Sequence, residues 1–206
     1  MLVFACISPH PPIILPSVGS EADRKEVKKT IQSLEKLGKQ LAKIKPDCIV
    51  ITSPHPDWGF NVPLHFLAKD VHGIEVKAHL TDLESPGVHF NRGKKLIKNL
   101  KYIKKLAWIA SGDMSHRLKK DGPYGLHPSG RKFDKELIAL LKKKDVGGIL
   151  NMNPKLVEQA GECGLRSFCM LLGGLEGVKA KWKPEILSYE APFGVGYLVA
   201  NFKLKK

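Results

Sequence analysis

Cys48-Ile49-Val50-Ile51-Thr52-Ser53-Pro54-His55-Pro56 is a short apolar run that ends in a histidine held between two prolines. The same tetrapeptide, Ser-Pro-His-Pro, recurs at Ser8-Pro9-His10-Pro11, directly after the apolar run Leu2–Ile7. Short apolar runs bounded by proline read as buried strands of an α/β protein. Proline disfavours helix in the residue before it and has no N–H for a sheet ladder, so each strand is expected to stop at its Ser-Pro step. Each histidine then stands just past the carboxyl end of a strand, the edge at which open α/β sheets collect ligands. A third run, Leu106–Ala110, leads into Ser111-Gly112-Asp113-Met114-Ser115-His116 and is expected to close on the same place. The fold this predicts is one α/β domain over residues 1–206, with a mostly parallel central sheet and helices on both faces.

The connections support that reading. Between the first two strands, Val27, Ile31, Leu34, Leu37, Leu41 and Ile44 recur at helical spacing, which predicts one helix from Glu21 to Ile44 and a βαβ unit. Beyond His55, Val62–Lys69 and Ile74–Leu80 read as two strands joined near His72-Gly73. His65, His72, His79 and His89 are taken as ordinary strand, turn or loop residues. Thr81–Phe90 reads as a loop, Asn91–Tyr102 as a helix, and Arg131–Lys143 as another after a loop containing His127-Pro128. Asn153-Pro154 opens a further helix, because asparagine caps well and proline suits the first helical position. Leu165–Leu172 predicts a buried helix ending at Gly173-Gly174. Glu185–Glu190 and Val195–Phe202 predict two closing strands.

Composition narrows the class. A chain of 206 residues with 43% hydrophobic and 26% charged residues can bury an ordinary core. No apolar stretch is long enough to cross a bilayer, and the amino terminus lacks a secretory pattern, so the expectation is a cytoplasmic protein without membrane contact. Cys6, Cys48, Cys163 and Cys169 form no CxxC, which argues against a disulfide framework. Lys+Arg 34 against Asp+Glu 20 gives a formal charge of +14. The lysines are spread over helices with few aromatic residues among them, which argues for solvated faces rather than a nucleic-acid platform. A homo-oligomer stays open.

Two imidazoles and one carboxylate are the donor set of an oxygen-activating ferrous site. His10 and His55 supply the imidazoles, and Glu162 is the carboxylate chosen, at an expected helix start. A carboxylate there also suits the helix dipole without any metal. The two Ser-Pro-His-Pro motifs, Gly112-Asp113-Met114-Ser115-His116, and Glu162 before a buried helix together resemble the class III extradiol ring-cleavage dioxygenases, the superfamily of the protocatechuate 4,5-dioxygenase catalytic subunit. The resemblance implies Fe(II) on His10, His55 and Glu162, a catechol-like aromatic substrate, and His116 as the acid/base. Asp113 is expected to orient that imidazole, and His127 is a second candidate for the pocket. Cys163-Gly164 departs from this pattern and looks similar to the Memo proteins of the same fold. A site of two histidines and a cysteine would favour zinc or copper, and a metal-binding or redox module without ring cleavage.

Overall fold

The computed structural model describes residues 1–205, and the expected sheet is present. Its six strands are β1 (Leu2–Ser8), β2 (Cys48–Ser53), β3 (Glu75–Leu80), β4 (Leu106–Ser111), β5 (Trp182–Glu190) and β6 (Tyr197–Leu204), in the order β3-β2-β4-β1-β6-β5. The first four run parallel, and β6 and β5 close the sheet antiparallel. Ser8 lies opposite Ser111 and Thr52 opposite Ala110, so β1, β2 and β4 end level with one another. β2 and β4 are buried along their whole length, as strands covered on both faces must be. Ile49, Ile51, Ala107 and Ile109 point to one layer, while Val50, Trp108 and Ala110 point to the other.

The helices are α1 (Glu21–Glu26), α2 (Lys28–Ile44), α3 (Trp58–Leu67), α4 (Pro86–Asn99), α5 (Pro128–Lys143), α6 (Val146–Leu150), α7 (Pro154–Ala160) and α8 (Leu165–Gly177). α2 and α3 cover one face through Leu34, Leu37, Leu41, Val62 and Leu67. α5 and α8 cover the other through Phe133, Leu137, Phe168 and Leu172. Among the described residues, no helix is long and apolar enough to cross a membrane.

Four expectations need correction. Val62–Lys69 is not a strand: Trp58–Leu67 is α3, with Val62, Phe66 and Leu67 buried at helical spacing and Pro63 tolerated inside it. The single helix over 21–44 is broken at Val27, because Glu190 reaches over from β5 and accepts from both the backbone N–H and the hydroxyl of Thr30 (2.7 Å each). That carboxylate caps α2 as a separate helix. Pro86–Phe90 is helix rather than loop, because Ser85 caps α4 through the N–H of Val88 and Pro86 takes its first turn. α8 does not stop at Gly173-Gly174. A Cβ on Gly173 would lie 1.9 Å from the Phe90 carbonyl oxygen, and one on Gly93 1.9 Å from that of Met170, so these glycines let α4 and α8 touch backbones. The Asn153 cap on α7 is as expected.

Candidate metal centre

Three strand ends and one helix start build the site. At the end of β1, the Gly112 N–H donates to the Ser8 carbonyl, and the His10 N–H donates to Asp113 Oδ1 at 3.0 Å. These bonds tie the β1 and β4 loops together and bury His10 to 5% exposure. At the end of β2, the Ser53 hydroxyl accepts from the His55 N–H and donates to the His55 carbonyl, a tight turn that presents an exposed imidazole. The His10 and His55 rings meet edge to face, 5.4 Å between centroids. Cys163 joins them from the segment before α8. Its Sγ accepts from the Asp113 N–H at 3.3 Å and lies 3.6 Å from His10 Nε2. The ligand atoms of His10, His55 and Cys163 fall within 4.8 Å of one another. Those of Asp113, His116 and Cys163 form an overlapping group of the same compactness.

Glu162 is not in either group. Its side chain is 1% exposed, its Oε2 accepts from the Leu165 N–H at 2.6 Å, and its Oε1 lies 3.5 Å from Arg166. The first turn of a helix has N–H groups without intrahelical partners, and this carboxylate takes one of them. Burial pushes its pKa up to about 7, opposed by the Leu165 bond and the Arg166 charge. The structure therefore brings Cys163, rather than Glu162, to the two histidines.

Burial raises the Asp113 carboxyl to about 6, against the His10 N–H and the charges of His116 and His55, which favour ionisation. Burial lowers the His116 pKa, with Asp113 opposing. The His116 ring stacks on Tyr124 at 5.0 Å and 28°, and the backbone N–H of His116 donates to the Ala160 carbonyl. Asp113 and His116 thus stand beside the histidine–cysteine group, sharing Cys163 with it. His127 is in neither group: its Nδ1 accepts from the Ser129 N–H at 3.1 Å and caps α5, the turn role open to any His-Pro in a loop.

The comparison that decides the family is a match of residues 53–200 to the family described as the catalytic LigB subunit of aromatic ring-opening dioxygenase. The chain belongs to that family. His55, Asp113, His116 and Cys163 lie inside the matched residues, and His10 precedes them. Protein CA_C1420 of Clostridium acetobutylicum is 33% identical over 95% of this chain and 56% of its own length, so the chain spans little more than half of that relative. An uncharacterized protein from Escherichia coli K12, JW3007, shares the fold with a TM-score of 0.65 over 96% of this chain and 98% of that one, at 16% identity. The extradiol resemblance is borne out as a superfamily assignment.

Within this dioxygenase fold the donor set fits a metal ion. His10 is buried, and its Nε2 lies 3.6 Å from Cys163 Sγ and 3.9 Å from Asp113 Oδ2, the latter beyond hydrogen-bond reach. A buried imidazole nitrogen so placed beside a thiol and a second imidazole has the surroundings of a ligand. Two contributors had no signal that spacing analysis reads. Ser111, the last residue of β4, lies 2.9 Å from His10 Nδ1. Tyr124 sits among the turn residues Gly122, Pro123 and Gly125, where an exposed aromatic was the only hint.

Glycine at 112 and 164 holds the site shut. A Cβ on Gly112 would lie 2.2 Å from Gly164 Cα, while the Gly164 N–H donates to the Asp113 carbonyl at 2.9 Å. Gly112→Ala is expected to destabilise the fold by about 1–3 kcal/mol, the usual cost of overpacking, and to separate Cys163 from His10. Thermal melts with and without added zinc check this. The metal-dependent rise in melting temperature should shrink in the variant.

Proposed function

We propose that this chain is a metal-dependent oxidoreductase of the ring-opening dioxygenase type, acting on a small catechol-like aromatic. The observation that carries the reading is the convergence of His10, His55 and Cys163 at the carboxyl edge of the sheet, with Asp113 and His116 beside them. His10, His55 and Cys163 would hold the ion, which when bound supplies Lewis-acid polarisation of a diol and, for iron, access to dioxygen chemistry. His116 is neutral at working pH because burial lowers its pKa, so it is ready to take a proton from a substrate hydroxyl. The Asp113 carboxylate then stabilises the imidazolium, and Tyr124 keeps the ring in plane. Tyr124, which is 61% exposed and stacked on His116, offers flat apolar surface to a small aromatic.

A second reading is favoured by Cys163 itself. A thiolate is a soft donor, and two imidazoles with one thiolate suit copper or zinc, which points to a metal-binding or redox module without ring cleavage. Anaerobic loading with Fe(II), Cu(I) or Zn(II), followed by a catechol panel and then air, separates the two. A coloured ring-opened product from the iron form supports the dioxygenase. Tight copper or zinc binding without product from any form supports the module, and failure to retain any metal overturns both.

A further inference from the structure

We infer that Ser111 is a positioning residue that fixes the tautomer of His10, placing the proton on Nδ1 and leaving Nε2 bare toward Cys163 and His55. This role rests on His10 serving as a ligand, as proposed above, and is independent of whether the chain opens rings.

The Ser111 hydroxyl has two close partners. Its Oγ is 2.5 Å from the Gly59 carbonyl oxygen and 2.9 Å from His10 Nδ1. A carbonyl oxygen can only accept, and a hydroxyl has one proton, so that proton lies on the line to Gly59. Ser111 Oγ then has only lone pairs to offer His10, and Nδ1 must be the donor. A neutral imidazole carries one N–H, which leaves Nε2 as the free lone pair. A metal-ligating imidazole is neutral, since the ion takes the place of a proton. Ser111 is fully buried, so water does not compete for either bond.

The Gly59 carbonyl is available because of Pro63. Helical bonds run from the N–H of one residue to the carbonyl four residues earlier, and the N–H that would claim Gly59 belongs to position 63. Proline has none. Gly59 is also the residue type this spot requires, since a Cβ there would lie 2.1 Å from Ser53 Oγ. A chain of contacts therefore runs from α3, just past His55, through the end of β4 to the imidazole at the end of β1. It joins the loops of both histidines to a single hydroxyl.

The experiment is nitrogen-15 NMR of the metal-free protein with labelled histidine, the His10 signals being assigned by their loss in His10→Asn. The expected pattern at neutral pH is a protonated Nδ1 and a bare Nε2. A His10 protonated mainly on Nε2 would overturn the assignment, and this reading needs no Ser111 variant to fold. Zinc affinity, measured by chelator competition, is then compared across Ser111→Ala and Ser111→Thr. Loss of an outer partner of a ligating histidine is worth roughly 10–100-fold in affinity, and that is the fall expected for alanine, with threonine recovering most of it. Unchanged affinity in a folded Ser111→Ala protein would equally overturn the role. If wild type retains neither zinc, copper nor Fe(II), the proposed function fails, while the tautomer still decides where the His10 proton sits.

Discussion

Cys163→Ser is expected to abolish tight metal binding, while Glu162→Ala keeps it and loses stability instead. The serine variant should lose more than the roughly 10–100-fold that an outer partner is worth, because the substitution removes a ligand atom itself. Glu162→Ala strands the Leu165 N–H and the Arg166 charge, and a buried donor left without its acceptor costs about 1–3 kcal/mol. Competition titrations and thermal melts of both variants read the two effects separately. The pH dependence discriminates further. Burial first, then the Asp113 charge, raises the Cys163 thiol well above its usual range, so a metal must displace a proton to bind there. Affinity should therefore climb about tenfold per pH unit between about pH 7.5 and 9. A Glu162 ligand, whose carboxyl is raised only to about 7, would give a flat profile across that window. Iron or zinc loss in the Glu162 variant with full retention in Cys163→Ser would reverse the assignment.

His116→Ala is expected to retain metal and to lose turnover by about 10²–10⁴-fold, the usual contribution of a positioned acid/base. His55→Ala should empty the site. The division follows from placement: the His55 ligand atom groups with those of His10 and Cys163, whereas that of His116 groups with Asp113 and Cys163 and not with His10. Steady-state rates and bound metal, measured on the same preparations, check it. Equal metal loss in the His55 and His116 variants would make His116 a ligand and remove the proposed base.

The sheet and its histidines were legible because they depend on local chemistry. A fully buried strand must be apolar along its length, and Ser-Pro ends it, so His10 and His55 had nowhere to go but the carboxyl edge. The level ends of β1, β2 and β4 then brought Gly112–His116 to the same place. α3 was misread because Val62–Leu67 is a short apolar run interrupted by proline, and periodicity alone does not separate a buried strand from a buried helix over so few residues. Tertiary contact decides it: a Cβ on Gly38 of α2 would lie 2.3 Å from the Phe66 carbonyl oxygen, so the helices seat backbone to backbone. The break at Val27 depends on Glu190, about 160 positions away in the chain. Glu162 and Cys163 are adjacent, and no spacing rule says which of two neighbours faces the histidines. The left-handed turn at Gly161 (φ 60°) and the N–H groups of Leu165 and Asp113 choose between them.

X-ray absorption of the zinc-loaded protein tests the assignment of Cys163 most directly, because sulfur scatters differently from oxygen or nitrogen and sits farther from the metal. The spectrum is expected to show one sulfur at roughly 2.3 Å together with imidazole nitrogens at roughly 2.0–2.1 Å, and to lose the sulfur shell in Cys163→Ser. A first shell of nitrogen and oxygen alone in the wild-type protein would contradict the His10, His55 and Cys163 centre.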